Sequence, residues 1–136
     1  MKTTLLVIVF MGLLAGGRLH AETKPLAYEP AVVTLSGTAV MEDHYGPPNF
    51  GETPDRDAKL RVPMLMLAEP VDVEAVPGVG REHERLDQMQ LVLPSRLSIK
   101  AYVNKRVTIT GTLSEQLEPG DFTPVLINVQ TIKPAP

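Results

Sequence analysis

A six-residue phrase occurs twice in this chain, and it constrains the fold more than any other feature. Residues 33–38 read VTLSGT and residues 107–112 read VTITGT. Apolar and hydroxyl side chains alternate in both copies, which is typical of a strand with one buried face. Gly37 and Gly111 stand where an inward-facing side chain is expected. Because glycine inside a strand marks a bulge, a bend or a close backbone approach, the chain is predicted to contain two strongly bent strands.

Three further segments have strand patterns, namely residues 60–71, 88–94 and 123–132. Pro63 restricts the first of them to an edge or an irregular start. Segment 95–105 combines a potential cap at Ser95 with apolar i,i+4 pairs, which predicts one short helix between strands three and four. Five strands in this order, with the first and fourth bent, predict a mainly β fold, a five-stranded OB-like barrel. We interpret the repeated phrase as shared barrel geometry rather than duplication, because nothing around the two copies matches.

The first residues have the layout of a secretory signal peptide. Lys2 gives a positive start, residues 5–16 are apolar, and Ala21 is a small residue at the expected cleavage site. The apolar run is shorter than the roughly 20 residues that a bilayer span needs, so cleavage is favoured over an uncleaved anchor. The sequence therefore predicts a signal peptide over 1–21 and a single exported, periplasmic domain over 22–136, with no stable membrane anchor.

Charge and cysteine content narrow the expected partners. Without Lys2 and Arg18, 11 basic residues remain against 16 acidic residues, a net charge of about −5. Such a surface repels phosphate backbones and anionic headgroups, so nucleic acid is not an expected partner. The chain contains no cysteine, which excludes a disulfide scaffold and a lipid-anchored lipoprotein.

Six segments together resemble one known family. They read YEPAVVTLSGT, GPPNF, LAEPVDV, QLVLP, VTITGTL and TPVLINV, and they span roughly residues 28–132. They are similar to a family of small exported bacterial proteins that is classed as a domain of unknown function. The resemblance implies a fold and a compartment but no activity. Members often carry a histidine cluster just before the last strand, where this chain has Gly120-Asp121-Phe122, so the resemblance implies no metal role here.

Aromatic residues in two predicted loops are the candidate binding residues. Tyr45 and Phe50 lie between strands one and two, and Phe122 lies between strands four and five. OB-folds hold ligands with these two loops, and an exposed ring offers a flat face to a sugar or a protein side chain. With two charged neighbours they form a predicted binding rim of Tyr45, Phe50, Asp55, Arg56 and Phe122. The alternative is that the rings cap the barrel ends and pin the long loops.

Signals for metal binding and catalysis are weak. The triplets Glu42-Asp43-His44 and Glu82-His83-Glu84 contain ligand types that zinc or manganese accepts. Adjacent residues of an extended strand point to opposite faces, so neither triplet is a ready-made site, and no metal or cofactor is predicted. The chain has no nucleophile elbow, cysteine nucleophile or phosphate-binding loop, so no catalytic residue is predicted and the protein is expected not to be an enzyme.

Segment 62–68, VPMLMLA, is apolar on both faces, whereas a strand of a small barrel is expected to have one wet face. The sequence leaves open whether another segment, such as the N-terminal arm, or a partner covers the second face. The expected function is an exported binding module that engages another envelope protein as an inhibitor or immunity-type partner. Glycan or small-ligand binding at the same rim and a metal-dependent activity are the alternatives.

Overall fold

Five strands account for most of the regular structure. The computed structural model describes residues 24–136, with strands β1 (Val32–Tyr45), β2 (Lys59–Val73), β3 (His83–Val92), β4 (Arg106–Glu115) and β5 (Val125–Pro134). The predicted signal peptide over 1–21 lies outside the described residues. Within residues 24–136, no helix has the length and apolar character needed to cross a membrane.

The five strands close into a ring in the order β1-β2-β3-β5-β4. Neighbouring strands are antiparallel except β3 and β5, which share a short parallel ladder in which Gln90 pairs with Leu126 and Leu91 pairs with Ile127. Alternate side chains point inward and form one core, which includes Leu35, Leu65, Met89, Ile109 and Ile127. The prediction of a mainly β, five-stranded fold is confirmed.

The two copies of the repeated phrase lie side by side. They occupy β1 and β4, which are antiparallel neighbours, and Leu35 in the first copy pairs with Ile109 in the second. Gly37 pairs with Val107 of β4 and also with Leu67 of β2, so it marks where β1 passes from one partner strand to the other. The phrase occurs twice because β1 and β4 are paired and each has a glycine where the backbone of a neighbouring strand comes close.

Both glycines admit the backbone of a neighbouring strand. A Cβ on Gly37 would lie 2.1 Å from the carbonyl oxygen of Met66, and a Cβ on Gly111 would lie 2.2 Å from the carbonyl oxygen of Asn128. No side-chain movement can relieve an overlap with a backbone carbonyl, so only glycine fits these positions. Of the three features that the sequence allowed at these glycines, both positions show a close backbone approach.

Two predicted element boundaries are wrong. The predicted helix is only a single 3-10 turn, Lys100–Tyr102, and it has Ile99 rather than Ser95 at its start, with no side-chain cap. An isolated short helix pays a nucleation penalty that its few apolar pairs do not overcome. The third strand begins at His83 rather than near residue 88, because β2 extends beyond a bulge and pairs with this charged segment through Val73.

Strand directions define two ends of the ring. The end where β1, β3 and β5 finish carries loops 46–58 and 93–105 and the C-terminal tail, and we call it the upper end. The lower end carries loops 74–82 and 116–124 and the N-terminal arm. That arm bonds to β2, where the Leu26 N–H donates to the Asp72 carbonyl at 2.8 Å.

A second apolar layer lies on the outside of the ring. Val62, Met64 and Leu126 are buried but do not belong to the central core. They alternate along their strands with Leu65 and Ile127, which point inward, so they occupy the outer wall. This layer explains why segment 62–68 is apolar on both faces.

Candidate functional site

Loop 46–58 is ordered by one carboxylate, that of Asp57. The buried Asp57 accepts backbone hydrogen bonds from Asn49 at 2.8 Å, Gly51 at 2.7 Å and Thr53 at 3.0 Å, and it accepts one from the Thr53 hydroxyl at 2.9 Å. Burial by itself would raise the pKa of this carboxyl, but the four donors outweigh burial and hold the pKa below its usual value. The loop is therefore fixed by contacts within itself.

Four of the five predicted rim residues lie on this hairpin with their side chains at the surface. Tyr45, predicted in the loop between strands one and two, is instead the last residue of β1 and is 41% exposed, and Phe50 in the loop is 36% exposed. Asp55 and Arg56 are exposed in a turn closed by the Thr53 carbonyl, which accepts from the Arg56 N–H at 2.9 Å. The structure therefore brings these four residues to one projecting tip at the upper end.

Phe122, the fifth rim residue, lies elsewhere. Its ring stacks on the imidazole of His44, with centroids 4.1 Å apart and planes at 25°. His44 and Tyr45 are successive residues of β1 and point to opposite faces. Phe122 therefore lies across the strand from Tyr45 and does not join the other rim residues.

Loop 116–124 folds over the outer wall of the ring. The Gln90 side chain in β3 accepts from the Phe122 N–H at 2.7 Å and donates to the Gly120 carbonyl at 3.2 Å. The Gln90 N–H donates to the Thr123 hydroxyl at 3.0 Å. These contacts place the loop over the outer apolar layer around Met64. The segment that covers the second face of β2 is this loop and not the N-terminal arm.

The two acidic triplets with histidine are split by strand geometry. His44 Nε2 lies 3.9 Å from Glu42 Oε1, beyond hydrogen-bond distance, while Asp43 on the opposite face pairs with Arg61 at 3.4 Å. His83 contacts Glu115 of β4 at 3.4 Å rather than its own neighbours. Within residues 24–136, no three or more histidine and carboxylate side chains converge as metal ligands.

Two clefts at the upper end share Arg61. The hairpin cleft has a volume of about 390 Å³ and is lined by Asp43, His44, Tyr45, Lys59, Leu60 and Arg61. The apolar groove has a volume of about 420 Å³, and its apolar lining is Met41, Pro63, Leu93, Leu97, Ile99 and Val103, with Arg61 and Lys100 at its sides. Both volumes fall in the range of small-ligand pockets. No pattern within a single segment predicted the groove, because it is assembled from β1, β2 and the 93–105 loop.

A cluster at the lower end fastens the N-terminal arm to the ring. The Tyr28 hydroxyl donates to the Arg81 carbonyl at 2.6 Å, and the Arg81 guanidinium donates to Glu115 at 2.8 Å. The hydrogen bond from Arg81 holds the pKa of Glu115 below its usual value. The cluster therefore holds the N-terminal arm, loop 74–82 and β4 together.

Comparison with known proteins gives a family match over one segment and no activity. A protein-family model described as "Domain of unknown function (DUF4431)" matches residues 88–133, from within β3 to near the end of β5. The resemblance to a domain-of-unknown-function family is confirmed over this segment. No curated protein and no solved structure matches the chain. A functional assignment therefore rests on the geometry of the upper end.

Proposed function

We propose that this chain is an exported, periplasmic, OB-like binding module that engages another envelope protein through the upper end, in an inhibitory or immunity-type role. The strand order β1-β2-β3-β5-β4 supports the OB-like assignment, as does the bend of β1 at Gly37. The proposal assigns binding as the activity of this module.

The observation that carries this proposal is that two exposed aromatic rings lie on a hairpin whose loop is already ordered. Tyr45 and Phe50 are at the surface of a hairpin tip whose backbone Asp57 holds in place. Aromatic side chains are frequent anchors of protein interfaces. A loop that is already ordered loses little conformational entropy on binding, which favours affinity.

The outer wall is a weaker candidate for the same role. OB-folds bind ligands across the face of strands two and three, between the loops that follow strands one and four. Here loop 116–124 lies over the upper part of that face, where Met64 is 0% exposed. The hairpin tip and the clefts beside it remain open to a partner.

Affinity capture from a periplasmic extract tests the proposal. The tag is joined ahead of residue 22, because the N-terminal arm lies at the lower end whereas Pro136 follows β5 at the upper end. We expect one stoichiometric partner, lost from the variant Tyr45→Ser/Phe50→Ser. Leu117→Ser is the matched control, since Leu117 is 85% exposed in loop 116–124. A partner lost from the control and kept by the double variant would contradict the assignment of the interface.

A glycan or small polar ligand in the hairpin cleft is the second candidate function. The cleft places Tyr45 beside the charged groups Asp43, Lys59 and Arg61. A ring face can stack on a sugar while charged groups bond its hydroxyls. Cell-wall saccharides at 100 times their Kd are expected to stabilise the fold by about 2.7 kcal/mol in thermal unfolding. Stabilisation absent from wild type, or unchanged in Tyr45→Ala, would exclude this candidate.

A further inference from the structure

Charge is divided unevenly between the two ends of the ring. Residues 24–136 contain 11 basic and 15 acidic residues. Eight of the basic residues lie in the loops or strand ends of the upper end, and they are Arg56, Lys59, Arg61, Arg96, Lys100, Lys105, Arg106 and Lys133. Five acidic residues lie in the same loops and strand ends, which gives these segments a formal charge of +3 and leaves −7 on the other described residues. The latter include Asp121 in loop 116–124, which folds over the outer wall. The negative net charge of the chain therefore comes from residues outside the loops and strand ends of the upper end.

Two of the five acidic groups of the upper end are withdrawn from solvent at least in part, whereas Asp43, Glu52 and Asp55 are exposed. The Asp57 carboxylate is enclosed by hydrogen bonds from its own loop. One oxygen of Glu42 is shielded from solvent, and Asp43 pairs with Arg61. In contrast, Lys59 and Lys100 are exposed and make no ion pair within the described residues. Basic residues still outnumber acidic residues by three in these loops and strand ends, so we expect a positive field there.

The basic residues border the two clefts. Arg61 and Lys100 flank the apolar groove, and Arg61 and Lys59 line the hairpin cleft together with Asp43, which pairs with Arg61. Because both clefts include Arg61, the three cations form a row that runs from the apolar groove to the hairpin cleft. Such a row suits a ligand that combines apolar groups with several negative charges along an extended backbone.

We propose that the upper end docks an extended acidic segment of the partner protein. An apolar side chain of that segment occupies the groove, and its carboxylates face Lys59, Arg61 and Lys100. This inference rests on the proposed function and specifies the chemistry of the partner. Complementary charge speeds association and selects the partner, and it makes binding weaken with added salt.

A synthetic peptide of alternating glutamate and leucine tests the docking chemistry directly. Fluorescence anisotropy measures its binding, and a peptide of alternating lysine and leucine is the charge control. Lys59→Glu/Lys100→Glu is expected to weaken binding by about tenfold at low salt. The matched control is Lys24→Glu/Arg85→Glu, which changes net charge by the same amount at the lower end and is expected to change affinity by less than about twofold. Thermal unfolding of both variants confirms that they remain folded.

Several outcomes would overturn the inference. Equal losses in the two variants would show an effect of overall charge rather than a docking site, and unchanged binding in both would remove the role of the cations. Tighter binding to phosphatidylglycerol vesicles than to the peptide would replace the acidic segment with a lipid surface. Head-to-tail self-association that is abolished in Lys59→Glu/Lys100→Glu would make the occupant the acidic lower end of a second copy.

The inference and the proposed function can fail separately. A partner captured by wild type and by Lys59→Glu/Lys100→Glu, but lost from Tyr45→Ser/Phe50→Ser, would keep the interface and discard the acidic segment. In the opposite case, the peptide binds specifically, Lys59→Glu/Lys100→Glu shows the predicted loss, and no envelope protein is captured. This result would keep the acidic ligand chemistry and discard the proposed protein partner.

Discussion

Loops 46–58 and 116–124 have similar compositions and opposite roles. Each contains proline, glycine and acidic residues, and each carries one phenylalanine, Phe50 or Phe122. Loop 46–58 is held from within by Asp57, and Phe50 reaches the surface. Loop 116–124 is held by Gln90 of β3, and Phe122 stacks on a histidine of β1. The location of its anchors therefore decides whether a loop presents its aromatic residue to a partner or uses it to pack the fold.

The largest expected effect tests whether loop 116–124 covers the wall. Met64→Ala is predicted to reduce the free energy of unfolding by about 2–5 kcal/mol, because Met64 is fully buried in the outer layer. Urea unfolding measures the change. Met66→Ala is the control on the same face of the strand, since Met66 is 39% exposed and its loss is expected to cost under about 1 kcal/mol. Similar small losses from both variants would mean that the wall is open to solvent.

A smaller effect separates the two phenylalanines. Phe122→Ala removes a half-buried ring from His44 and is predicted to cost about 1–2 kcal/mol of unfolding free energy. Phe50→Ala is predicted to change it by no more than about 0.5 kcal/mol. Hydrogen exchange provides a local readout, because loss of Phe122 should expose the Gln90 N–H that bonds to Thr123. Equal costs for the two rings would contradict the contrast between the loops.

Asp57→Asn should loosen loop 46–58 and leave loop 116–124 unchanged. An amide oxygen accepts fewer hydrogen bonds than a carboxylate, so the N–H groups of Asn49, Gly51 and Thr53 should exchange faster. We expect an effect on global stability below that of Met64→Ala, since the loop projects from the ring. Faster exchange of the Phe122 N–H in the same variant would show that the two loops are coupled.

The same carboxylate predicts a pH dependence with a definite sign. Its hydrogen bonds hold the folded-state pKa of Asp57 below the ordinary value of 3.8. The stabilisation is therefore present above that pH and is lost as the pH falls through the folded-state pKa. The stability difference between wild type and Asp57→Asn, measured by urea unfolding, should shrink as the pH is lowered below 3.8. A difference that grows on acidification would refute this account of the loop.

The smallest expected effect on stability belongs to the exposed tip. Tyr45→Ser/Phe50→Ser should cost no more than about 1 kcal/mol of unfolding free energy, because the residues are 41% and 36% exposed and lie outside the buried core. The same variant should lose the captured partner. A large fall in its melting temperature would show that these rings stabilise the hairpin, which is the alternative role that the sequence left open.

Local patterns were sufficient where the structural cause is local. Alternation revealed the strands, and the two glycines revealed close backbone approaches, because a missing side chain is visible in the sequence itself. The segment 83–87 lacks apolar alternation and lies outside the predicted strand 88–94, yet it forms the start of β3 because β2 supplies a pairing partner there. Ser95 likewise suggested a helix start, although tertiary packing leaves only one 3-10 turn.

The sequence by itself determined that the chain forms a mainly β fold in which Gly37 and Gly111 admit a neighbouring backbone, because side-chain alternation and glycine position act within a strand. Only the tertiary structure decided that Phe122 packs against His44 while Tyr45 and Phe50 stay exposed. It also decided that positive charge gathers at the upper end of an acidic protein. Both outcomes depend on strand direction and on contacts between residues far apart in the chain, which no local pattern records.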